Sequence, residues 1–155
     1  MSKLISISIE QDDFHLPTPE VLQEQNIAIY DLEQKNFFQP VGFEAYDEIK
    51  LNISLSGNSL VFKISSKKDE ILKTFFFSLT PLKQIINDYY LICKSYFNAV
   101  KSLPIDKIES IDMGRKGIHN EGARVIIERL ENRISTDMET SRRIFTLIYA
   151  LTYER

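Results

Sequence analysis

The chain has 155 residues, 43% of them hydrophobic and 26% charged, which is enough for one domain with a sizeable buried core. A formal net charge of −3 excludes a polyanion binder over the whole surface, and a single cysteine excludes an internal disulfide or a cysteine-based zinc knuckle. The charge is unevenly placed: residues 1–80 carry seven Lys and no Arg against twelve acids, whereas all seven Arg (115, 124, 129, 133, 142, 143 and 155) lie beyond residue 81.

Met1 to Phe14 alternates apolar residues with Ser and turns acidic at Glu10, Asp12 and Asp13, unlike the basic start and unbroken apolar block of a signal peptide. The uncharged run Ile144 to Tyr153 is too short to span a bilayer. With one cysteine, these features set the expectation of a single domain, residues 1–155, in the cytoplasm and off the membrane.

Lys3 to Ile9 puts Ile5, Ile7 and Ile9 on one face and Ser6 and Ser8 on the other, the period of a half-buried strand. After a loop from Gln11 to Pro17, Thr18-Pro19-Glu20 opens a helix with a hydroxyl cap, proline in the first turn and an acid at the positive end of the dipole. It is expected to reach about Asn36, with Leu22, Ile29 and Leu32 inward. Phe37 to Gly42 reads as an extended or irregular connector because Pro40 bars a helix.

A meander follows. Ile49, Leu51, Ile53 and Leu55 alternate with polar residues, Gly57-Asn58 is a two-residue hairpin signal of type II′, and Leu60, Phe62 and Ile64 return. Lys67 to Glu70 turns the chain into a third strand, Ile71 to Leu79. The expected sheet is antiparallel with about four strands, the N-terminal strand plus this meander.

Ser78-Leu79-Thr80-Pro81 repeats the cap-then-proline signature, and Leu82, Ile85, Ile86, Tyr89, Cys93, Tyr96 and Val100 then recur at helical spacing. Cys93 on that stripe reads as a core thiol, and the Tyr89, Tyr90, Tyr96, Phe97 cluster as packing against the sheet, with Tyr90 its member nearest solvent. Beyond Pro104 a short helix over Ile105 to Ile111, a loop, and a second helix marked by Ala123, Ile126 and Leu130 are expected. An extended segment near Ile134 and a capping box, Thr136-x-x-Glu139, precede the last helix, whose wide apolar face implies burial. Arg142 and Arg143 lie three and four residues after Glu139, the spacing of surface ion pairs. A helix, strands and then a run of helices, four to five helices in all packed against the sheet, read as α+β.

Three of the five glycines fall within Gly114 to Gly122, interleaved with Arg115, Lys116, His119, Asn120 and Glu121. Read as a loop with Asn120 capping the next helix, this segment would offer backbone amides and basic side chains to an anion. The candidate ligand-binding residues are Gly114, Arg115, Lys116, Gly117, His119, Asn120, Gly122 and Arg124. A structural alternative is a self-satisfied loop in which Asp112 and Glu121 pair with Arg115 and Arg124. A second functional reading takes Gly114-Arg115-Lys116-Gly117 as the GxxG turn of a KH-type RNA-binding module. A third takes His119, Glu121 and Asp112 as candidate catalytic acid/base residues. No second histidine stands at metal-binding spacing and no Walker, Rossmann or nucleophile-elbow motif is present, so neither metal nor cofactor is expected.

The chain resembles a bacterial, mainly alphaproteobacterial, family of uncharacterised proteins over nearly its whole length. The resemblance rests on Ile111 to Gly122, on Ser78-Leu79-Thr80-Pro81 with Asp88 to Cys93, and on Phe145-Thr146-Leu147-Ile148. It implies a compartment and a class of organism, and it carries no catalytic residue across. The expectation is a non-catalytic domain that binds a small anion or a partner protein through residues 112–124, with homodimerisation and RNA as further partner classes.

Overall fold

The computed structural model describes residues 1–11 and 15–154, so Asp12, Asp13 and Phe14 of the acidic N-terminal stretch, and Arg155, lie outside the described residues. In chain order the elements are β1 (Lys3–Ile9), α1 (Pro19–Gln34), β2 (Phe38–Pro40), β3 (Glu48–Ser56), β4 (Ser59–Ser66), β5 (Ile71–Ser78), α2 (Thr80–Ser102), α3 (Ile105–Leu130), β6 (Ile134–Thr136) and α4 (Met138–Thr152). The fold is α+β, with a four-stranded sheet ordered β1-β3-β4-β5 and four helices among the described residues.

The meander β3-β4-β5 is antiparallel throughout. Ser56 pairs with Ser59 and leaves Gly57-Asn58 as the turn, with Gly57 at φ +60° as a type II′ hairpin requires. β1 instead joins β3 in parallel, making the sheet mixed, and α1 and β2 form the crossover such a pair needs. Leu4 pairs with Ile49 and Ser6 with Lys50, so Ile5 is an extra residue in a bulge. The bulge shifts the inward positions, and Leu4 and Ile7 are buried rather than the expected Ile5, Ile7 and Ile9.

The connector after α1 is the short strand β2, whose Phe38 to Pro40 pair with Thr136 to Ile134 of β6. With Thr136 held in that strand, the cap of α4 passes to its neighbour: Asp137 Oδ1 accepts from the Thr140 N–H at 2.8 Å. The expected Thr136 capping box is corrected accordingly. Thr18 caps α1 as expected, accepting from the Val21 N–H at 3.3 Å. α2 starts at Thr80, one residue ahead of the expected cap arrangement, with Leu79 as a cap that makes no side-chain bond.

α4 is the central helix. Ten of its fifteen residues are buried, and it packs on α1, α3 and β3. Its Ile144, Leu147, Ile148 and Leu151 join Ile49, Leu51 and Ile53 of β3 and Phe62 and Ile64 of β4 in the core. Each such side chain contributes about 1.5–3 kcal/mol by leaving water. α2 lies along α3 on the far side.

The largest departure from expectation is α3. The chain runs helical from Ile105 through Leu130, so the short helix, the loop and the Asn120 cap merge into one rod. Gly114, Gly117 and Gly122 all take negative φ; only Gly42 and Gly57 among the glycines are positive. The penalty of about 1 kcal/mol per helical glycine is outweighed by packing against α2 and α4. The glycine-rich loop is therefore a helix, and the KH-like GxxG turn is absent because no turn separates two helices there. Among the described residues, no helix is long and apolar enough to cross a membrane.

Candidate functional site

Residues four apart on a helix share a face. In α3 this aims Arg115 and His119 together into the junction with α1 and α4, with Asp112 one turn before Arg115. The junction holds a cleft of about 280 Å³. Glu24, Ile27 and Asp31 of α1 form one wall, Glu139, Arg142, Arg143 and Thr146 of α4 the other, and Tyr89 of α2 reaches in between.

Arg115 is the most heavily partnered group. Its Nη2 and Nε lie 2.7 and 3.0 Å from Asp112 Oδ1, its Nη1 lies 3.5 Å from Glu24 Oε1, and its guanidinium stands 4.6 Å from the Tyr96 ring centre. The hydrogen bond from Arg115, and the nearby Lys116, hold the Asp112 carboxyl below the usual carboxylate range. Burial pushes the Glu24 carboxyl up, with the Arg115 charge opposing.

His119 sits between aromatic rings, 5.4 Å from Tyr89 and 5.3 Å edge-on from Phe145. Its Nε2 is 2.8 Å from Thr146 Oγ1, and that hydroxyl lies 3.3 Å from the Arg142 carbonyl. With the hydroxyl proton donated to the carbonyl, Nε2 is the protonated nitrogen and donates to Oγ1. Nδ1 is then a bare acceptor, buried and without a partner among the described residues. Burial, reinforced by the charges of Arg142 and Arg115 and opposed by Glu139, lowers the imidazole pKa to about 4, so the ring is neutral near pH 7.

On α4, one carboxylate serves two guanidiniums. Glu139 lies 3.3 Å from Arg142 Nη1 and 3.2 Å from Arg143 Nη1, the pairing expected from their spacing, while Arg143 Nε is 3.6 Å from Asp31. Two forks of five donors each leave N–H groups to spare, and planar guanidiniums suit a carboxylate or phosphate. The same cleft is poor in reactive groups. Tyr89 has its hydroxyl raised far above its ordinary range by burial, and Cys93 behind it is pushed up to about 11. Among the described residues no group of three or more His, Cys, Asp or Glu is placed to hold a metal ion.

Of the candidate residues, the structure brings only Arg115 and His119 to the cleft, with Asp112 beside them. Lys116 is exposed and pairs with Asp112 at 3.2 Å. Arg124 pairs with Glu121 at 2.8 Å on the solvent face, so Glu121 does not meet His119. Asn120 is half-buried within the helix. Gly114 lies under Ile92, Gly117 faces open space, and Gly122 lies under the Phe145 ring. Sequence reasoning missed Glu24, Asp31, Tyr89 and Thr146 as neighbours. The i, i+4 spacing of Arg115 and His119 was the available signal, while nothing in α1 marks its acids as partners of Arg.

The chain matches the family described as "Uncharacterised protein family (UPF0262)" over residues 1–154. It is similar to a UPF0262 protein of Dinoroseobacter shibae, 44% identical over 157 residues that cover 99% of each chain. It is also similar to one of Ruegeria pomeroyi, 43% identical over 99% of this chain and 98% of that one, and to one of Nitrobacter winogradskyi, 41% identical over 98% and 90%. No solved structure matches the chain.

Proposed function

As the chain belongs to this uncharacterised bacterial family, UPF0262, we propose that it is a non-catalytic, single-domain cytoplasmic protein that binds a small anionic group in the cleft between α1, α3 and α4. One observation carries the reading: three guanidiniums, from Arg115, Arg142 and Arg143, converge from two helices on one concavity. An oxyanion enters by exchange. The partly exposed Glu139 pairs with Arg142 and Arg143 are surface ion pairs of low strength, so a ligand carboxylate or phosphate displaces them at small cost. Arg115 stays anchored by Asp112 and adds its charge from below. His119, neutral and held by Thr146, shapes the floor and supplies no base, since its unprotonated nitrogen is enclosed. The buried free thiol of Cys93 supports a reducing compartment.

Titration calorimetry at low salt with inorganic phosphate and with acetate tests this. Both bind, and Arg142→Gln weakens each about tenfold, the loss of roughly one charge-assisted hydrogen bond. A protein that gives no heat with either anion, and that flies as the bare chain in native mass spectrometry after gentle purification, would sink the proposal.

A further inference from the structure

Ile27 belongs to two concavities at once. It sits on the wall of the anion cleft and also at the edge of a wide, open groove of about 480 Å³ between side chains on the outer side of α1, over Pro19, Leu22, Gln23, Asn26 and Tyr30, all from that one helix. The solvent side of a surface helix is ordinarily polar. Here Leu22 is 43%, Ile27 52% and Tyr30 64% exposed, while Val21, Ala28 and Leu32 already give α1 the apolar stripe by which it packs on the body. α1 thus has two apolar faces, and the fold uses one. From Pro19 to Gln34 it carries Glu20, Glu24, Asp31 and Glu33 with no Lys or Arg. Glu24 and Asp31 are turned to the cleft, so two copies laid antiparallel on this face would set Glu20 against Glu33, which disfavours a second copy as the occupant. The positive charge adjoining the groove lies at its cleft end, on Arg142 and Arg143, both partly open to solvent.

We propose that the groove and the cleft form one site, and that its ligand is a carboxylate carried on an unbranched apolar chain. This rests on the anion-binding reading of the cleft. The carboxylate takes a bidentate seat on the α4 guanidiniums. The tail crosses Ile27 beside the Tyr30 ring and runs along Asn26 and Leu22 toward Pro19. Ile27 to Pro19 is eight residues, about 12 Å at 1.5 Å per residue, the reach of a medium-length acyl chain.

The test is a chain-length ladder of acetate, hexanoate, decanoate and tetradecanoate, each below its micelle concentration, titrated into the full chain. Affinity rises about twofold for each added methylene up to decanoate and then levels off. An open groove covers only one side of the tail, and full burial of a methylene is worth about fourfold. The double variant Leu22→Gln, Tyr30→Ser, at positions that face solvent, flattens the ladder and leaves acetate binding unchanged. A flat ladder in the wild type, with acetate still bound and still weakened by Arg142→Gln, overturns this inference alone. No binding of any member overturns the anion site with it. A ladder indifferent to the double variant puts the tail elsewhere and overturns the groove assignment. A flat ladder in a protein that sediments as a dimer, and as a monomer once Leu22 and Tyr30 are replaced, overturns it in favour of a second copy.

Discussion

Gly122 and Gly117, five residues apart in one helix, have opposite reasons to be glycine or none. A Cβ on Gly122 would stand 2.4 Å from two carbons of the Phe145 ring, so Gly122→Ala overpacks the α3–α4 contact and costs about 1–3 kcal/mol. A Cβ on Gly117 meets nothing within 4 Å, so Gly117→Ala gains about 1 kcal/mol of helix propensity. Urea denaturation of the two variants reads both signs directly, and a loss at Gly117 would contradict its helical, open setting. His119 makes a pH signature. It titrates near 6.5 when unfolded and near 4 in the fold, so between those values the unfolded chain holds more protons. The residue leaves stability intact above pH 6.5 and erodes it as pH falls toward 4, by about 3 kcal/mol. Glu24, with its raised carboxyl, works in the opposite direction. The quantity to measure is therefore the wild-type stability minus that of His119→Gln across pH 7 to 4; a flat difference would show that the ring is not held neutral by its surroundings. Arg115 and His119 were named as candidates from the sequence, while the cause of the histidine's neutrality was not legible there, because Tyr89 and Phe145 come from other helices.

Legibility at the level of elements divides along local against tertiary control. α1 and the β3–β4 hairpin were readable because the Thr18 cap, Pro19 and Gly57 act within a few residues of themselves. α3 was misread because three glycines were given the weight of a break. The counter-signal was present: Ile108, Ile111, Ile118, Gly122, Ile126 and Leu130 keep helical phase straight through the segment, and all are buried or half-buried. A glycine inside a continuous apolar period can mark a close helix crossing rather than a stop, and Gly122 is such a case. The start of α4 shows the same competition at one residue. Thr136 satisfied the capping pattern, but pairing with Phe38 claimed it and Asp137 took the role. Asp137→Ala should cost about 1 kcal/mol, lowering the thermal midpoint by several degrees, whereas Thr136→Ala should leave the cap intact. An equal loss in both would restore the capping box.

The whole molecule is built from the inside of α4 outward, and its stability should be graded accordingly. The buried residues of α3 begin at Gly122, so its first half, packed chiefly against α2, has few apolar contacts to hold it. Amide exchange from Asp106 to Met113 should proceed by local opening, well ahead of exchange in Ile144 to Ala150, which needs global unfolding. Uniform protection along α3, measured by mass spectrometry, would mean that its first half is stabilised by something beyond these contacts. The meander was legible from alternation and the α+β class from the run of helices after it, but the parallel seat of β1 was not, since its partner is chosen by a crossover and not by any neighbouring turn. That seat also sets an order of assembly. Lys3 is paired with Glu48, and at about 5–20 residues per second the ribosome takes roughly 2–9 s to travel between them. β1 therefore waits, its edge hydrogen bonds unpaired, for a neighbour that has not yet been made.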